Sequence, residues 1–305
     1  MDRIEEVEEY ISELAIDIPS YGIPLETGFT NNFTMKNIDN HRMLLNSVHE
    51  LNSYYEYKQE IDQFAYKGET YQAAPPSFEL YAQNEAYVDN SSLVTFAGDM
   101  DSNLKDDMLN SMLFAQFAAG AASKPDDLLA WHNKYWEVLQ HLGCVVQNNN
   151  FSTYVTKGTT LEVEKVVLEI LGTLALPSNA TKIIIAALNV MKQLPAKDRR
   201  IMLFNTASRT QSVGSFQIAN CYTTNSGSNT NIEIGLACVH FTTTQKIQYV
   251  LGFKSQSSHA SLKYNTQKLA FNYNLFNKTR DLVRDRIGKI SVNYIDKIPL
   301  ALPLK

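Results

Sequence analysis

The sequence predicts an α+β protein whose mainly helical N-terminal two-thirds pack on a C-terminal antiparallel β-meander of about four strands. Two observations predict this class. Up to residue 206, apolar residues recur at three- and four-residue steps, which is the period of amphipathic helices. Beyond Gly214 the chain is rich in Ile, Val, Phe, Tyr and Thr, and its short turn-rich gaps are typical of hairpins. We expect two parts: a helical or irregular region over residues 1–98, and a helical block plus sheet over residues 99–305 that form one continuous core.

The N-terminal region is predicted to contain two helices joined by loops. Residues 2–14 carry a stripe of apolar side chains and several early glutamates, which the positive end of a helix dipole favours. Residues 41–66 repeat the helical pattern and end in a cluster of aromatic side chains. Helix-breaking and polar residues dominate 19–40 and 68–76, so both of these segments are predicted loops.

The central part of the chain carries the clearest helical patterns. Asp101 or Ser102 is predicted to cap the first of these helices, and Pro125 starts the second. The predicted helices span Asp101–Ala122, 125–142, Leu161–Leu174, Ser178–Leu194 and Ala196–Thr206. Three aromatic residues are expected to pack in the helical core: Trp131, Tyr135 and Trp136.

The C-terminal part of the chain is predicted to form the sheet. Runs of β-branched and aromatic residues alternate there with turn sequences such as Asn-Ser-Gly-Ser-Asn. The predicted strands span Ser215–Thr224, Asn231–Thr243, Gln248–Lys254 and Ser261–Phe276. A closing helix over Lys278–Ile287 and a last short strand over Ile290–Ile295 are predicted to follow.

Composition and charge exclude several classes of protein. The 27 basic and 32 acidic residues give a formal net charge of −5, so no nucleic-acid partner is expected. The start of the chain lacks the basic-then-apolar pattern of a secretory signal. The longest apolar stretches, Met112–Ala122 and Ile183–Leu188, fall short of the roughly 20 residues of a membrane span. We therefore expect a protein that is cytoplasmic as synthesised, while release without a signal peptide and association with a membrane both stay open.

The sequence contains no motif that is diagnostic of a metal site or of catalysis. Its three cysteines are Cys144, Cys221 and Cys238. They lie far apart in the sequence, so neither a disulfide framework nor a zinc site is expected. Asp99 and Asp101 begin like a calcium loop, but the Gly and Glu that such a loop needs are missing. Cys238 and His240 could form a thiol–imidazole nucleophile pair, and the alternative is a histidine buried in the core. We assign no metal and no catalytic residue.

Every second residue of a strand lies on the same face, and this alternation groups several small residues in the predicted strands. These residues are Ala219, Cys221, Gly235, Ala237 and Gly252. If they share one face, a large group must fill the space against it, because protein interiors are closely packed. One candidate is the Ala- and Gly-rich helix segment 115–122 in close approach. The other is an apolar ligand in a slot lined by the four Ala and Gly residues, such as a fatty acyl chain carried on Cys221 as a thioester.

Several segments carry a family resemblance. They are Leu109–Ala119, Trp131–Tyr135, Val138–Gly143, Phe151 and Val163–Leu168. This pattern resembles the bacterial Erwinia virulence factor (Evf) family over roughly residues 100–290. The resemblance implies an α/β protein that takes part in virulence and holds palmitate by a thioester on a buried cysteine. The family's cysteine is then expected in the strand region, at Cys221 first and Cys238 second. The chain departs from the pattern at Cys144, where the family has an aromatic residue.

Three functions follow as hypotheses. The first is a virulence or host-interaction protein that buries a fatty acyl chain and has no catalytic activity of its own. Its partners would be a fatty acid or membrane lipid and an unidentified host factor. The second is a cysteine-dependent hydrolase or acyltransferase that uses Cys221 or Cys238 with His240 as base. The third is a membrane-active toxin in which the helix Met112–Ala122 inserts into the bilayer.

Overall fold

The computed structural model describes nine stretches of the chain. They are residues 3–15, 42–46, 85–98, 100–123, 127–147, 150–156, 158–196, 198–226 and 229–297. The loops predicted over 19–40 and 68–76 lie outside these stretches, as does most of the helix predicted over 41–66. Residues 42–46 of that predicted helix form a strand instead, so the helix prediction is wrong there.

The described residues form seven helices. They are α1 (Arg3–Glu13), α2 (Ser102–Ala122), α3 (Leu128–His141), α4 (Val163–Gly172), α5 (Ser178–Gln193), α6 (Arg199–Ser208) and α7 (Tyr273–Lys297). The predictions for α1 to α6 agree with these bounds to within three residues at each end. Asp101 caps α2, because its carboxylate accepts a hydrogen bond from the Asn103 N–H at 2.8 Å.

The C-terminal helix is much longer than predicted. It begins at Tyr273, where the Asn272 side chain accepts a hydrogen bond from the Leu275 N–H at 3.1 Å. The helix then continues past Gly288 to Lys297. The last short strand predicted over Ile290–Ile295 is therefore wrong, because these residues extend α7.

Ten strands lie in the described part of the chain. They are β1 (Arg42–Asn46), β2 (Glu85–Asp89), β3 (Ser92–Ala97), β4 (Cys144–Val145), β5 (Ser152–Thr153), β6 (Thr160–Glu162), β7 (Val213–Ser226), β8 (Asn229–Thr243), β9 (Lys254–Gln256) and β10 (Ala260–Phe271). The main sheet has the order β1-β2-β3-β7-β8-β10-β4, and β5 also pairs with β10. Strands β6 and β9 form a separate small sheet.

The α+β class is confirmed, but the predicted four-stranded antiparallel meander is wrong. Strands β7, β8 and β10 are antiparallel as predicted, whereas β3 joins β7 in parallel, so the main sheet is mixed. Residues 248–253 are not a strand, because β10 pairs directly with β8 from Ala260 opposite Thr243 to Ala270 opposite Glu233. That pairing leaves no place between β8 and β10 for an intervening strand.

Helices cover both faces of the main sheet and give the fold three layers. Helices α1, α2, α3 and α7 pack on one face, which we call the α2–α3 face. Helices α4, α5 and α6 pack on the other, which we call the α4–α6 face. An ion-pair network joins α2 to α7: the fully buried Asp107 accepts hydrogen bonds from Arg280 at 2.6–2.9 Å and from Arg284 at 3.4 Å.

Candidate functional site

Cys221 lies in the interior of the α2–α3 face. Its side chain is fully buried, and it pairs across the sheet with Ile234, which in turn pairs with Leu269 of β10. We call Cys221, Ile234 and Leu269 the Cys221 row. Ala219 lies two residues earlier on the same face, opposite Leu236. The structure therefore brings together two of the predicted site residues, Cys221 and Ala219.

Gly235 and Ala237 lie on the opposite face of the sheet, so the prediction that they share one face with Cys221 is wrong. The register that pairs Cys221 with Ile234 turns the adjacent Gly235 toward the α4–α6 face. A side chain at Gly235 would collide there with the methyl end of Leu176. Ala237 is fully buried in the same core. The space beside these small residues is thus filled by protein atoms.

Gly252 does not lie in a strand. It is exposed, in a turn between β8 and β9, and it lines a separate pocket of about 340 Å³. Leu194, Ile201, Phe204 and Leu251 supply apolar walls of this pocket. Gly252 therefore does line apolar space, but this space belongs to the α4–α6 side of the molecule and not to the face that carries Cys221.

A larger cavity of about 750 Å³, which we call the groove, adjoins the Cys221 row. Its apolar lining residues are Leu104, Ile232, Leu269, Ala270, Phe271 and Tyr273, and the remainder of the lining is polar. Leu269 is the β10 end of the Cys221 row, and Ile232 lies two residues from Ile234 on β8. Cys144 is also near the groove, because it pairs with Phe271. The volume is within the range of roughly 300–1,000 Å³ in which small-molecule sites fall.

The three cysteine thiols are buried and unactivated. All of them are free, and burial raises the pKa of the Cys144 thiol to about 12. Burial also raises the pKa of the Cys221 and Cys238 thiols well above the usual value. Because the thiolate is the nucleophilic form, these thiols are poor nucleophiles in the folded state.

His240 and Cys238 lie on the same face of β8, two residues apart. Burial and the neighbouring Lys263 lower the pKa of His240 to about 4. The imidazole is therefore neutral at pH 7 beside a protonated thiol, so these two residues do not form a thiolate–imidazolium pair. Within the described stretches, no group of three or more His, Cys, Asp or Glu side chains is placed to hold a metal ion.

The inner side of α3 carries a cluster of buried polar atoms that sequence reasoning missed. Four residues of this cluster are buried: Trp131, His132, Tyr135 and Trp136. The two tryptophans and the tyrosine pack in the core as predicted. The indole nitrogens, the Tyr135 hydroxyl and both ring nitrogens of His132 have no hydrogen-bond partner in the described part of the protein. The sequence offers one signal for this cluster: two adjacent pairs of polar-tipped aromatic residues, Trp131-His132 and Tyr135-Trp136, which lie one helical turn apart.

Comparison with known proteins identifies no family for this chain. No family model matches it, and no curated protein matches it. Solved structures that are similar to it in part include a δ-endotoxin and the Evf virulence factor. The δ-endotoxin is 12% identical with a TM-score of 0.32, over 68% of this chain and 96% of the endotoxin chain. The Evf virulence factor is 14% identical with a TM-score of 0.32, over 78% of this chain and 90% of its own. At these TM-scores neither structure assigns a family or an activity, so membership of the Evf family stays a prediction.

None of the described helices combines the length and the apolar composition that crossing a membrane requires.

Proposed function

We propose that this protein is a virulence or host-interaction protein without catalytic activity, and that it holds a fatty acyl chain in the groove with Cys221 as thioester anchor. The thioester would form by transfer from a small-molecule acyl thioester, whose thiol leaves with the proton of Cys221, before the folded sheet buries the sulfur. The observation that carries the lipid part is the position of the groove. Half of its lining residues are apolar or aromatic, and the groove begins at Leu269, the end of the Cys221 row. The virulence part rests on the sequence resemblance to the Evf family.

A palmitoyl chain on Cys221 is long enough to reach the groove. Only β8 lies between Cys221 and Leu269, and neighbouring strands are about 4.8 Å apart, so the two residues are separated by about 10 Å. A fully extended palmitoyl chain is longer than this separation between Cys221 and Leu269. Its first part would lie along the sheet over Ile234, and its far end would occupy the groove.

The energetics of such a chain favour retention once it is in place. Burial of a palmitoyl chain is worth about 0.8 kcal/mol per methylene, on the order of 10 kcal/mol in total. This value is comparable with the whole free energy of unfolding of a typical domain. Ile234 and Leu269 are almost fully buried, so the part of the chain nearest the sulfur would displace side chains that now pack there. Acylated and unacylated protein should therefore differ clearly in stability.

A cysteine-dependent hydrolase or acyltransferase receives less support from the geometry. Such an enzyme needs an accessible thiolate beside a base. Cys221 and Cys238 are fully buried with raised thiol pKa values, and the lowered pKa of His240 makes it a weak base. A non-catalytic role for the cysteines fits these properties better.

Intact-mass spectrometry of the purified protein tests the proposal. Wild-type protein is expected to carry one acyl group that neutral hydroxylamine removes, and Cys221→Ser is expected to lack it. Cys238→Ser is the matched control: Cys238 is equally buried on the same face, but it pairs with the polar residues Gln217 and Asn265. A wild-type mass without any acyl group would refute the thioester. Loss of the acyl group in the control variant alone would refute Cys221 as its site.

A membrane-active toxin is the second candidate, and the observation that favours it is the character of α2. From Met108 to Ala122 this helix has no charged side chain, and Met108–Ala119 is buried on every side. A charge-free helix segment that is buried on every side is typical of a protein interior or of a membrane. Dye release from anionic lipid vesicles, compared with serum albumin at the same concentration, tests this candidate. Release no greater than that of albumin would exclude it.

A further inference from the structure

The imidazole of His132 lies in an aromatic cage between α3 and the sheet. It is fully buried, and its ring centroid lies 4.7 Å from that of Trp131, 4.7 Å from that of Phe151 and 6.4 Å from that of Tyr135. Neither ring nitrogen has a hydrogen-bond partner among the described residues. A buried histidine is usually held by at least one hydrogen bond to its ring, whereas the described neighbours of this one hold it by packing.

The atoms around this ring make the contact between α3 and the sheet sensitive to added charge. Trp131 Nε1, Trp136 Nε1 and the Tyr135 hydroxyl also lost their hydrogen bonds to water on folding, without a protein partner in the described part to replace them. The two indole N–H groups can only donate hydrogen bonds, and the Tyr135 hydroxyl has no hydrogen bond to the His132 ring among the described residues. A cation at His132 would therefore be buried without a hydrogen bond from these groups, and its contacts with the surrounding aromatic rings, worth about 2 kcal/mol, would offset only part of the cost of burial.

Among the titratable groups that face His132 from the packed elements, the neighbouring His240 opposes its protonation. On β8 the facing group is His240, and Lys263 of β10 lies directly opposite His240 in the sheet. On α3 the titratable neighbour is Tyr135, which is itself influenced by the three thiols and by the buried Asp89. Burial, together with the nearby His240, lowers the pKa of His132 well below its usual value. The closed packing of α3 on the sheet thus requires neutral imidazoles.

We infer that α3 and the sheet form an acid-sensitive contact, in which protonation of His132 and His240 releases the inner side of α3 from the sheet. The neutral rings are compatible with the closed packing, and the charged rings are compatible only with an open form in which water reaches them. For every pH unit below the unperturbed histidine pKa of about 6.5, protonation of one histidine raises the ratio of open to closed protein about tenfold. The two together shift the ratio of open to closed protein by about a hundredfold per pH unit.

Opening at this contact would uncover the charge-free part of α2 as well. Helices α2 and α3 pack closely on one another. Met108–Ala119 of α2 is buried in the core that these two helices share with the sheet. Acidification would therefore convert a buried apolar surface into an exposed one. This inference does not depend on the acyl chain, because it rests on the two histidines and on the packing of α3 against the sheet.

The chain provides its own reporter for this transition. It contains two tryptophans, Trp131 and Trp136, and both lie on the inner side of α3. Intrinsic fluorescence and binding of an apolar dye should be followed from pH 7.5 to pH 4 in full-length wild-type protein and in His132→Phe. His141→Phe is the matched control, because His141 is a partly exposed residue of the same helix whose ring stacks on Tyr10.

Wild-type protein is expected to show a reversible red shift of tryptophan emission with dye binding, centred below about pH 6.5. His132→Phe should move the midpoint down by at least about half a pH unit, because one of two titrating groups is removed. His141→Phe should leave it unchanged. If His132→Phe does not fold, His240→Phe provides the same test at the other histidine. Emission that stays constant down to pH 4, or equal midpoints in wild-type protein and the folded histidine variant, would overturn the inference.

Discussion

The network of Asp107 with α7 gives a prediction whose size follows from the structure. Asp107 of α2 is fully buried, and its two carboxylate oxygens accept three hydrogen bonds from Arg280 at 2.6–2.9 Å. In Asp107→Asn the amide keeps the shape of the side chain but loses its charge. Removal of one partner of a buried ion pair typically costs about 3–5 kcal/mol. The side chain of Arg280 is 20% exposed and also bonds Tyr273, so water and this partner offset part of the loss. We expect a loss of about 3 kcal/mol in the free energy of unfolding.

Urea unfolding followed by circular dichroism measures this loss. Asp285→Asn is the matched control, since Asp285 also lies on α7 and pairs with Lys289, but its side chain is 54% exposed. Exposed pairs contribute about 0–1 kcal/mol, so this variant should unfold almost like the wild type. A difference of less than about 1 kcal/mol between the two variants would refute the reasoning that the Asp107 network holds α7 on α2.

Three other predictions follow from the same structure. Gly214→Ala should destabilise the protein by about 1–3 kcal/mol, because its Cβ would meet the fully buried ring of Phe241. Gly235→Ala should cost less than about 1 kcal/mol, because the half-buried Leu176 can move its methyl group aside; equal thermal shifts in the two variants would contradict this. The free energy of unfolding should fall on acidification, since His240 is neutral when folded and protonates more readily when unfolded. From its folded-state pKa of about 4, His240 alone accounts for about 3 kcal/mol between pH 7 and pH 4, and urea midpoints that do not change over this range would exclude the effect. In native protein at pH 8, none of the three cysteines should react with a thiol reagent, because all of them are buried. After denaturation, two cysteines should react if Cys221 is acylated, and all three should react if it is not.

The sequence predicts the local elements well where local chemistry determines them. The capping carboxylate of Asp101 and the apolar spacing of the following residues define α2, and the Gly-Ser pair after Ser226 separates β7 from β8 in the sequence. Non-local pairing is where prediction fails. Strand β3 joins β7 in parallel across more than a hundred residues of chain, and no local pattern in Ser92–Ala97 indicates that partner. The mixed character of the sheet follows from this one long-range pairing.

At the candidate site, too, the local pattern is predictable from the sequence and the non-local pairing is not. Alternation along β8 correctly separates Gly235 and Ala237 from Ile234 and Leu236, because the side-chain period of a strand is fixed. Which of these two sets faces Cys221 depends on the register between β7 and β8, and a shift of one residue would exchange them. The sequence does not determine that register. The aromatic cage of His132 depends in addition on Phe151, which reaches it from a different segment of the chain.

Peptide mass spectrometry tests the central claim, an acyl thioester at Cys221, most directly. Trypsin cuts after Arg209 and Lys246, so one peptide contains Cys221 and Cys238, while a peptide that begins after Lys134 contains Cys144. We predict a hydroxylamine-sensitive palmitoyl group on the first peptide, located by its fragment ions to the half that holds Cys221. Three unmodified cysteines, or an acyl group confined to the second peptide, would contradict the claim.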